Sequence, residues 1–494
     1  MNSINILFIL ADQHRRECLG CYGNSQIATP ALDALARDGV LAENCFCPYP
    51  VCTPSRYSLF SSLYARQHGG WSNHSTLLQP RQTFPAILRN AGFQTAAVGK
   101  MHFTPTYLDI GFDRMVLAEQ DGPGRWDDDY HRELMAQDLF DPEDLIDQVQ
   151  EYRRQAPEAY WKSWGTLPAS LPPEMYSTEW IGRQALRELE TWQGGGNMLM
   201  VGFIKPHHPM DVPGPWNQLL NPEELDLLPG WTEEIPERNQ QFSKGYFPNK
   251  ELTREALQRV MASYYGSISQ IDDQVSQMVE LLKRRGLYEN TMIVYTSDHG
   301  DYMGFQHMIL KGNHMYDPLM RVPLIIKPAA GAATTPGGKV LEGLCSNLDL
   351  APTILRHAGL ESWVGMEGLD LFSPEFRGRD AVFAEQNQGR YLMIRTPTHK
   401  LLLDRVHDRC LLFDLVADPL ELEDVAQEAA NRGVVNELLE RLAAWEAARP
   451  AQPLHCDEQA PVIDQPNVPP RDLSHRDAII SWYRQKMDTY LNRS

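Results

Sequence analysis

Strand-like apolar runs alternate with amphipathic helical stretches over the first three-quarters of the chain. The runs lie at residues 4–10, 93–98, 198–204, 291–296 and 322–327, and each ends in polar residues. The longest predicted helix, "ELTREALQRVMASYYGSISQIDDQVSQMVELLKRRG", ends at a glycine. Strands with few polar interruptions, separated by helices, are typical of a mostly parallel sheet covered on both faces. We therefore expect an α/β fold with a mostly parallel central sheet flanked by helices.

Two regions depart from this alternation. Between His102 and Met198 the chain is rich in Trp, Tyr, Asp and Pro, which predicts irregular excursions from the sheet. After "GMEGLDLF", the segments "GRYLMIRTPTHKLLLD" and "RCLLFDLVADPLE" indicate short strands, and "VVNELLERLAAWEAA" indicates a helix. We therefore predict a large domain at 1–375, a small α+β domain with a short antiparallel sheet at 376–450, and a C-terminal arm at 451–494.

Composition and charge exclude several classes of partner. The formal net charge of −20 argues against nucleic acid or an anionic membrane surface. Apolar runs such as "INILFIL" are far shorter than the roughly 20 residues of a membrane helix, so no membrane partner is expected. The first run has no basic segment before it and ends in an aspartate, which predicts a strand and not a signal peptide. We therefore expect a cytoplasmic protein.

The eight cysteines are sparse and irregularly spaced, which suits a reducing compartment. Cys18-x-x-Cys21 and Cys45-x-Cys47 could together imitate a zinc site. No nearby His or Cys pair has finger-like spacing, however, so the pattern does not favour structural zinc.

Polar side chains follow the predicted strands, and several are of types that carry chemistry. In open α/β sheets, ligands bind beyond the carboxyl ends of the strands. The polar residues at these ends, and in the loop after the fourth run, are Asp12, Gln13, Lys100, His102, Lys205, His207, His208, Asp298, His299, His307 and Lys311. Five separate segments therefore bring carboxylates, imidazoles and ammonium groups to one edge of the sheet.

The charges of these residues suggest what the edge binds. Asp12, Asp298 and His299 make a hard, mostly oxygen site that suits a divalent cation. A collar of cationic and imidazole side chains comes from Arg56, Lys100, His102, His207 and Lys311. A metal and fixed cations around one nucleophile are what is needed to bind a tetrahedral oxyanion and stabilise its transfer.

Cys52 is the candidate for that nucleophile. It lies in "VCTPSRYSLFSS" at 51–62, directly before a predicted helix whose N–H groups and dipole favour an anion. Three interpretations remain open at this point: a buried structural thiol, a thiolate nucleophile, or the precursor of a modified residue.

The pentapeptide "CTPSR" at 52–56 resembles the Cys-x-Pro-x-Arg signature of type I sulfatases in the alkaline phosphatase superfamily. The resemblance continues through "ILADQH", "TPALDALARDGVLAENCFC", "AGFQTAAVGKMHF", "TSDHGDYMG", "YDPLMRVPLIIK" and "NLDLAPTIL", and reaches "FDLVADPLE" near the end of the chain. It therefore covers most of the sequence. It implies an alkaline-phosphatase-like fold and the hydrolysis of sulfate monoesters to an alcohol or phenol and sulfate.

In that family the signature cysteine is oxidised to formylglycine, an aldehyde that hydrates to a gem-diol. The resemblance implies that Cys52 is such a precursor, that a formylglycine-generating enzyme is a partner, and that Thr53, Pro54 and Arg56 are what it reads. One diol hydroxyl, polarised by metal, attacks sulfur and expels the alcohol. The other hydroxyl then reforms the aldehyde and ejects sulfate. A serine could perform the first step but not the second.

The resemblance also implies roles for the strand-end residues. The implied metal ligands are Asp12, Gln13, Asp298 and His299, with Cys52 as the diol. Lys100 and His102 match the pair beside the diol, with His102 as the base of the elimination and its pKa held down by Lys100 and the metal. His207 and Lys311 match the pair that protonates the leaving group and holds the sulfate. The implied substrate contacts are Asn73, Lys100, His207 and Lys311.

Two departures from the common pattern keep alternatives open. The pairs Asp12-Gln13 and Asp298-His299 replace the Asp-Asp and Asp-Asn of many sulfatases, as in phosphonate monoester hydrolases and choline-sulfatase-like members. The imidazole adds Mn²⁺ to Ca²⁺ as the expected cation. The first alternative function is a phosphonate monoester or phosphodiester hydrolase, although Lys100-x-His102 follows the sulfatase pattern. The second is a metal-binding scaffold in which Cys52 stays a thiol.

The arm at 451–494 carries the remaining expectation. It begins proline-rich and ends in a weakly amphipathic segment that contains Trp482 and Tyr483. This composition predicts packing, either against a partner in a homo-oligomer (dimer or tetramer) or against the arm's own domain. The segments 103–190 and 205–250 are expected to line the substrate pocket.

Overall fold

A nine-stranded sheet forms the centre of the molecule. The structure, a computed structural model, describes residues 3–79, 82–240, 247–312, 314–330, 338–463 and 474–492. The strands are β1 Asn5–Asp12, β2 Val40–Phe46, β3 Gln94–Gly99, β4 Arg114–Leu117, β5 Asn197–Pro206, β6 Thr291–Ser297, β7 Arg321–Val322, β8 Leu324–Lys327 and β9 Lys339–Ser346. Their order is β4-β3-β5-β1-β6-β8-β2-β7, and β9 pairs with β2.

The strand directions confirm a mostly parallel sheet. β4, β3, β5, β1 and β6 are parallel neighbours, whereas β8 runs antiparallel to both β6 and β2. β1 and β5 are buried along their whole length, because helices cover both faces of the sheet. The run at 322–327 divides into β7 and β8 around Pro323, which lacks the N–H that a continuous ladder needs.

Fourteen α-helices occupy the described part of the chain. They are α1 Pro30–Asp38, α2 Cys52–Ser61, α3 Ala65–His68, α4 Phe84–Asn90, α5 Asp129–Ala136, α6 Pro142–Gln148, α7 Gln150–Arg153, α8 Glu158–Ser163, α9 Ser177–Thr191, α10 Arg254–Arg284, α11 Asp317–Met320, α12 Leu350–His357, α13 Arg432–Ala447 and α14 Ser474–Leu491. The predicted long helix is α10. Thr253 caps its N-terminus by accepting from Ala256 N, and Gly286 follows it in the left-handed conformation.

The prediction of irregular structure between His102 and Met198 was wrong. This segment contains β4 and the five helices α5 to α9. α9 buries Trp180, Ile181, Ala185 and Leu189 against the sheet. The prolines and aromatic residues mark the starts and the buried faces of the short helices α5 to α8, whose patterns are too brief to give a clear periodicity. The 15 residues of α9 do show a helical pattern, which the prediction overlooked.

Two glycines let β3 and β5 approach closely where β3 ends. A Cβ on Gly99 would lie 2.1 Å from the carbonyl oxygen of Gly202, and a Cβ on Gly202 would lie 2.1 Å from the carbonyl oxygen of Lys100. That second carbonyl accepts a hydrogen bond from Arg56 Nη1 at 2.5 Å. The backbone of Lys100 therefore packs between β5 and the buried side chain of Arg56. If either moved away, close packing or the hydrogen bond to the Lys100 carbonyl would be lost.

We expect Gly202→Ala to displace Lys100 and to lower the free energy of unfolding by about 1–3 kcal/mol, the usual cost of overpacking a filled core. Thermal or urea unfolding measures this effect. The matched control is Gly433→Ala in α13, where an added Cβ meets nothing within 4 Å and the lost glycine flexibility should stabilise the helix. Equal stability of Gly202→Ala and the parent would contradict this close packing of Gly202 against Lys100.

The C-terminal part contains a second, antiparallel sheet. Its strands, β10 Val382–Gln386, β11 Tyr391–Arg395, β12 His399–Asp404 and β13 Arg409–Asp414, pair in sequence order. Trp445 of α13 stacks on Phe383 of β10 with parallel ring planes. This confirms the predicted small α+β unit, while its boundaries at 376 and 450 stay a prediction.

α14 packs on the large domain of its own chain. Ile479, Tyr483 and Met487, spaced four residues apart, are buried, and the Tyr483 ring centroid lies 5.5 Å from that of Trp126. Residues 464–473 and 493–494 of the predicted arm lie outside the described residues. The predicted oligomer stays a prediction. None of the described helices is both long and apolar enough to cross a membrane.

Candidate active site

Cys52 is the first residue of α2, and its thiol is fully buried where the strands end. Its Sγ lies 3.3 Å from His299 Nε2 and 3.5 Å from Asp12 Oδ1. Lys311 Nζ donates to the same sulfur at 3.1 Å. The structure therefore brings together Cys52 and residues that follow β1 and β6, as the strand-end pattern predicts.

The charge around the thiol favours an anion at this position. Burial alone would raise the pKa of Cys52, but Lys311, Lys100 and His299 outweigh burial and hold it well below its usual value. Three other buried cysteines behave in the opposite way, since burial raises the pKa of Cys18, Cys45 and Cys47. Cys52 is thus the thiol with an electropositive environment, not an inert core thiol.

Arg56 fixes the two carboxylates of the site. It is one turn after Cys52 on α2, fully buried, and donates from Nη2 to Asp12 Oδ2 at 2.9 Å and from Nε to Asp298 Oδ2 at 3.0 Å. Lys100 Nζ makes a third contact, 3.0 Å from Asp12 Oδ2. Each carboxylate therefore keeps one oxygen on this cationic side, and Oδ1 of both remains for other partners.

Four side chains present donor atoms that lie within 4.8 Å of one another: Asp12, Cys52, Asp298 and His299. His299 Nδ1 contacts the carbonyl oxygen of Gly300 at 2.9 Å, which places the ring N–H there and leaves the Nε2 lone pair directed into the site. Burial, followed by the neighbouring charge of Asp12, raises the pKa of Asp298. Two buried carboxylates that repel one another are relieved by a cation between them.

Gln13 completes this donor set. Its Nε2 donates to Asp301 Oδ2 at 2.6 Å, while its Oε1 is buried and accepts no hydrogen bond from any described residue. The backbone of Gln13 has φ = 62°, a conformation that residues other than glycine seldom adopt. A buried amide oxygen without a donor, beside two carboxylates and an imidazole nitrogen, fits a divalent cation of the oxygen-preferring kind.

His207 and Lys311 form a pair beside Cys52, and Lys311 Nζ also lies 3.4 Å from His299 Nε2. Lys311 Nζ lies 2.9 Å from His207 Nε2, and His207 Nδ1 lies 2.7 Å from the carbonyl oxygen of His208. Burial, and then the charge of Lys311, hold the pKa of His207 well below its usual value. The imidazole is therefore neutral, with its proton on Nδ1, and accepts from the ammonium at Nε2.

His102 has a partner that the sequence did not indicate. Its Nε2 lies 2.7 Å from Asp121 Oδ1, and its backbone N–H donates to Glu119 Oε1 at 2.9 Å. Burial lowers the pKa of His102, but Asp121 outweighs burial and raises it to about 9. The expectation of a lowered pKa for His102 was therefore wrong: Lys100 does lower it, but a carboxylate in direct contact with the ring, which the expectation omitted, outweighs Lys100. The contribution of the metal stays a prediction.

Glu119 and Asp121 could have been found by the same rule that found the other residues. Both follow β4 in "RMVLAEQD", directly beyond its carboxyl end. The sequence did not predict β4, so its polar residues were not considered. The side chain of Asn73 lies beside the first turn of α2, and its Oδ1 accepts a hydrogen bond from Thr53 N at 3.2 Å. Its predicted contact with substrate stays a prediction.

Three other strand-end residues have contacts with residues outside the cluster around Cys52. Lys205 Nζ pairs with Asp211, and His208 Nδ1 contacts Asp147. The His307 ring stacks on Trp231 with centroids 4.6 Å apart. The predicted segment 205–250 contributes His207 to the site, and its residues 241–246 lie outside the described residues.

The site has a buried nucleophile position at the carboxyl edge of a mostly parallel sheet. A set of cation donors and fixed positive charges surround this position. Such a site is typical of a hydrolase that acts on esters of tetrahedral oxyanions. Comparison with known proteins agrees. The sequence profile of the sulfatase family matches residues 4–360, which is more than half of the chain. This chain belongs to the sulfatase family, a family of sulfuric ester hydrolases. The profile "N-sulphoglucosamine sulphohydrolase, C-terminal" matches residues 306–448.

Similar proteins cover nearly the whole length. An N-acetylglucosamine-6-O-sulfatase of Bacteroides thetaiotaomicron is 26% identical, over 89% of this chain and 85% of its own. An arylsulfatase of Clostridium perfringens is 28% identical, over 85% of this chain and 90% of its own. Among solved structures, the phosphonate monoester hydrolase of Agrobacterium radiobacter superposes with a TM-score of 0.72 at 24% identity, covering 94% of this chain and 100% of that one. The last comparison concerns the fold alone.

Proposed function

We propose that this chain hydrolyses sulfate monoesters to an alcohol or phenol and sulfate, with formylglycine made from Cys52 as the nucleophile. The observation that supports this most is the position of Cys52 Sγ. It lies 3.3 Å from His299 Nε2, one of the cation donors, and 3.1 Å from Lys311 Nζ, so it contacts the donor set and a fixed positive charge at once. A thiol that served only as core packing would not need a lysine and a set of cation donors in contact with it.

Maturation would have to precede folding. Cys52, Thr53, Pro54 and Arg56, the signature residues, are all buried in the finished fold. A formylglycine-generating enzyme can therefore reach the segment only while the chain is still unfolded there. All eight cysteines are free thiols in the structure, which supports the proposal of a reducing, cytoplasmic location.

The donors Asp12, Gln13, Asp298 and His299 would hold one divalent cation, with residue 52 as a further ligand. When bound, the cation polarises the diol and offsets negative charge on the sulfate oxygens. Three oxygen donors favour Ca²⁺, and the single imidazole nitrogen keeps Mn²⁺ as the second candidate. Arg56 holds Asp12 and Asp298 in place, and Lys100 lies beside Asp12 as a fixed positive charge for the sulfate.

Lys311 and His207 would serve the leaving group. The ammonium of Lys311 contacts both the nucleophile position and His207 Nε2, so it binds a sulfate oxygen and supplies a proton at one point. The neutral imidazole of His207 accepts a hydrogen bond from the ammonium at Nε2 and so directs Lys311, which gives a proton to the alcohol oxygen as the S–O bond breaks. Its Nδ1 contact with the carbonyl oxygen of His208 keeps Nε2 directed at the site.

His102 would serve the second half of the reaction, in which the sulfated hemiacetal loses sulfate. This collapse needs a base for the remaining hydroxyl. Asp121 stabilises the imidazolium that such a base becomes, as the carboxylate does in a Ser-His-Asp triad. A side-chain hydrogen bond with Cys52 also raises the pKa of His102.

We expect His102→Ala, once it carries formylglycine, to release about one equivalent of phenol per site from an activated aryl sulfate and then to slow by roughly 10²–10⁴-fold. Rapid-mixing kinetics measures the burst, and mass spectrometry of the stalled protein should find sulfate on the peptide of residue 52. His407→Ala, which removes an exposed histidine on the C-terminal domain, is the control and should keep full turnover. A slow linear rate without burst or adduct would place His102 in the first step.

A second candidate function is the hydrolysis of phosphonate monoesters or phosphodiesters. The observation in its favour is the donor set, because Gln13 and His299 replace anionic or amide ligands found in many sulfatases. The test is a paired assay of aryl sulfates and aryl phosphonates that share the same leaving group. We expect a higher kcat/KM for the sulfate, and a clear preference for the phosphonate would reverse the assignment. A panel of sulfated sugars, phenols and alkyl alcohols then identifies the alcohol.

A further inference from the structure

Asp301 is a buried carboxylate to which neither the strand-end pattern nor the family resemblance gives a role. It follows Asp298 and His299 in the loop after β6 and is completely inaccessible to solvent. It forms no ion pair with any described residue, and it accepts hydrogen bonds from Gln13, Met303 and Leu310. Burying an ionisable side chain costs free energy, so the hydrogen bonds of Asp301 must offset that cost, and the groups that they hold show what Asp301 does.

One oxygen of Asp301 controls the orientation of Gln13. Gln13 Nε2 donates to Asp301 Oδ2 at 2.6 Å. Asp301 Oδ2 accepts from the amide, so the NH₂ group of Gln13 faces Asp301 and its carbonyl oxygen faces the other side. The backbone of Gln13 is held as well, because its N–H donates to Asp298 Oδ1 at 3.1 Å and its carbonyl accepts from Tyr264 at 2.6 Å. Oε1 is thereby fixed as the available oxygen.

The second oxygen of Asp301 organises the loop that ends at Lys311. Asp301 Oδ1 accepts from Met303 N at 2.7 Å and from Leu310 N at 3.1 Å. These bonds close the loop, in which Tyr302 N also donates to the carbonyl of Leu310 at 2.9 Å. Leu310 directly precedes Lys311, whose ammonium contacts Cys52. The same carboxylate therefore connects a cation donor with the segment that carries a sulfate-binding lysine.

We propose that Asp301 is a positioning residue that makes Gln13 an oxygen ligand of the cation and aligns it with the Lys311 loop. The inference rests on the proposed cation site, and it deepens that proposal by assigning ligand orientation to a residue that does not touch the cation. Without Asp301, the amide of Gln13 can turn its NH₂ group towards the cation, and a group that only donates hydrogen bonds repels it.

The isosteric change Asp301→Asn tests the orientation directly. The new side-chain oxygen can keep the bonds to Met303 and Leu310, and its NH₂ then faces Gln13. Gln13 must rotate to accept that bond with Oε1, so it presents Nε2 to the cation. We expect the affinity for Ca²⁺ and Mn²⁺, measured by calorimetric titration of the metal-stripped full chain, to fall by about 10–100-fold, as when a metal ligand loses its outer partner.

The rescue is Gln13→Glu in the Asp301→Asn background. The asparagine NH₂ then donates to one glutamate oxygen and leaves the other for the cation, so the affinity should return to within about threefold of the parent. Gln13→Glu alone sets two carboxylates against each other and should also bind weakly. The parent, the two single variants and the double variant form a double-mutant cycle. Weak cation binding by each single variant and restored binding by the double variant would show that Asp301 and Gln13 are coupled. This pattern is not expected from general loss of structure.

Asp272→Asn is the matched control. Asp272 is also buried and accepts from two backbone N–H groups, Ala31 N and Leu32 N, and it lies eight residues further along α10 than Tyr264, which contacts Gln13. It should lose stability without losing cation affinity. If Asp301→Asn does not fold, the double variant compared with Gln13→Glu alone still decides, because weaker or equal binding by the double variant overturns the proposal.

The outcomes separate the two proposals. A parent protein that binds neither cation overturns the proposed cation site and this inference with it. A parent that binds, together with an Asp301→Asn variant that binds within threefold of it, leaves the cation site standing and overturns the role of Asp301. Weak binding by both single variants and recovery in the double variant supports the role.

Discussion

Cys52→Ser protein is expected to cleave about one equivalent of an aryl sulfate per site and then to stop. A serine hydroxyl in this position keeps the neighbours of the thiol, Lys311 at 3.1 Å and His299 at 3.3 Å, so attack on sulfur remains feasible. The product is a serine sulfate ester that has no second hydroxyl on the same carbon. It cannot expel sulfate by reforming an aldehyde, so the steady-state rate should fall by roughly 10³-fold or more.

Three measurements check this result. Rapid mixing gives the amplitude of phenol release, the steady state gives the residual turnover, and mass spectrometry of the 51–62 peptide gives the sulfate adduct. The same peptide from the parent, made together with a maturation enzyme, should carry formylglycine. Cys456→Ser is the matched control because Cys456 is an exposed cysteine outside α2 and outside the strand ends. Sustained parental turnover by Cys52→Ser would show that neither the aldehyde nor the thiol is needed.

Asp298→Ala is expected to abolish both cation binding and turnover. Asp298 is fully buried, supplies one of the two anionic donors of the cluster, and receives Arg56 Nε at 3.0 Å. Its removal takes away a principal ligand of a hard cation and leaves a buried guanidinium with one partner fewer. The loss of affinity should exceed the roughly 10–100-fold that follows removal of an outer partner of a ligand.

Elemental analysis of the purified variant and calorimetric titration of the metal-stripped protein measure this loss. Asp380→Ala is a suitable control, since Asp380 is exposed and only pairs with Arg441 on the surface. It should bind one cation per chain, as the parent does. Active parent protein that contains no divalent cation would contradict the cation site as a whole, whereas a full complement of metal in Asp298→Ala would contradict only the role of this carboxylate.

The amino-acid sequence by itself determined the fold class and most of the candidate site. Hydrophobic periodicity is a local property, and it located β1, β3, β5 and β6 within one or two residues of their ends. The carboxyl ends of parallel strands meet at one edge, so the polar residues after these strands had to lie together. Asp12, Lys100, His207 and Asp298 needed no further information.

The shorter elements were less accessible to this reasoning. β4 has four residues, and β8, also of four, runs antiparallel between two strands that are parallel to each other. In segments this short, tertiary contacts outweigh local preference, and the pattern of side chains has no room to show a period. The helices α5 to α8 escaped prediction for the same reason.

Only the tertiary structure decided which buried groups meet as hydrogen-bond partners. Asp301 contacts Gln13 across 288 positions of sequence, and Asp121 reaches His102 from the end of a strand that was not predicted. The sign of the pKa shift of His102 followed from that second contact, not from the lysine two residues before it. Buried electrostatics depends on distances of 3 to 4 Å between segments remote in sequence, and periodicity along the chain carries no information about such distances.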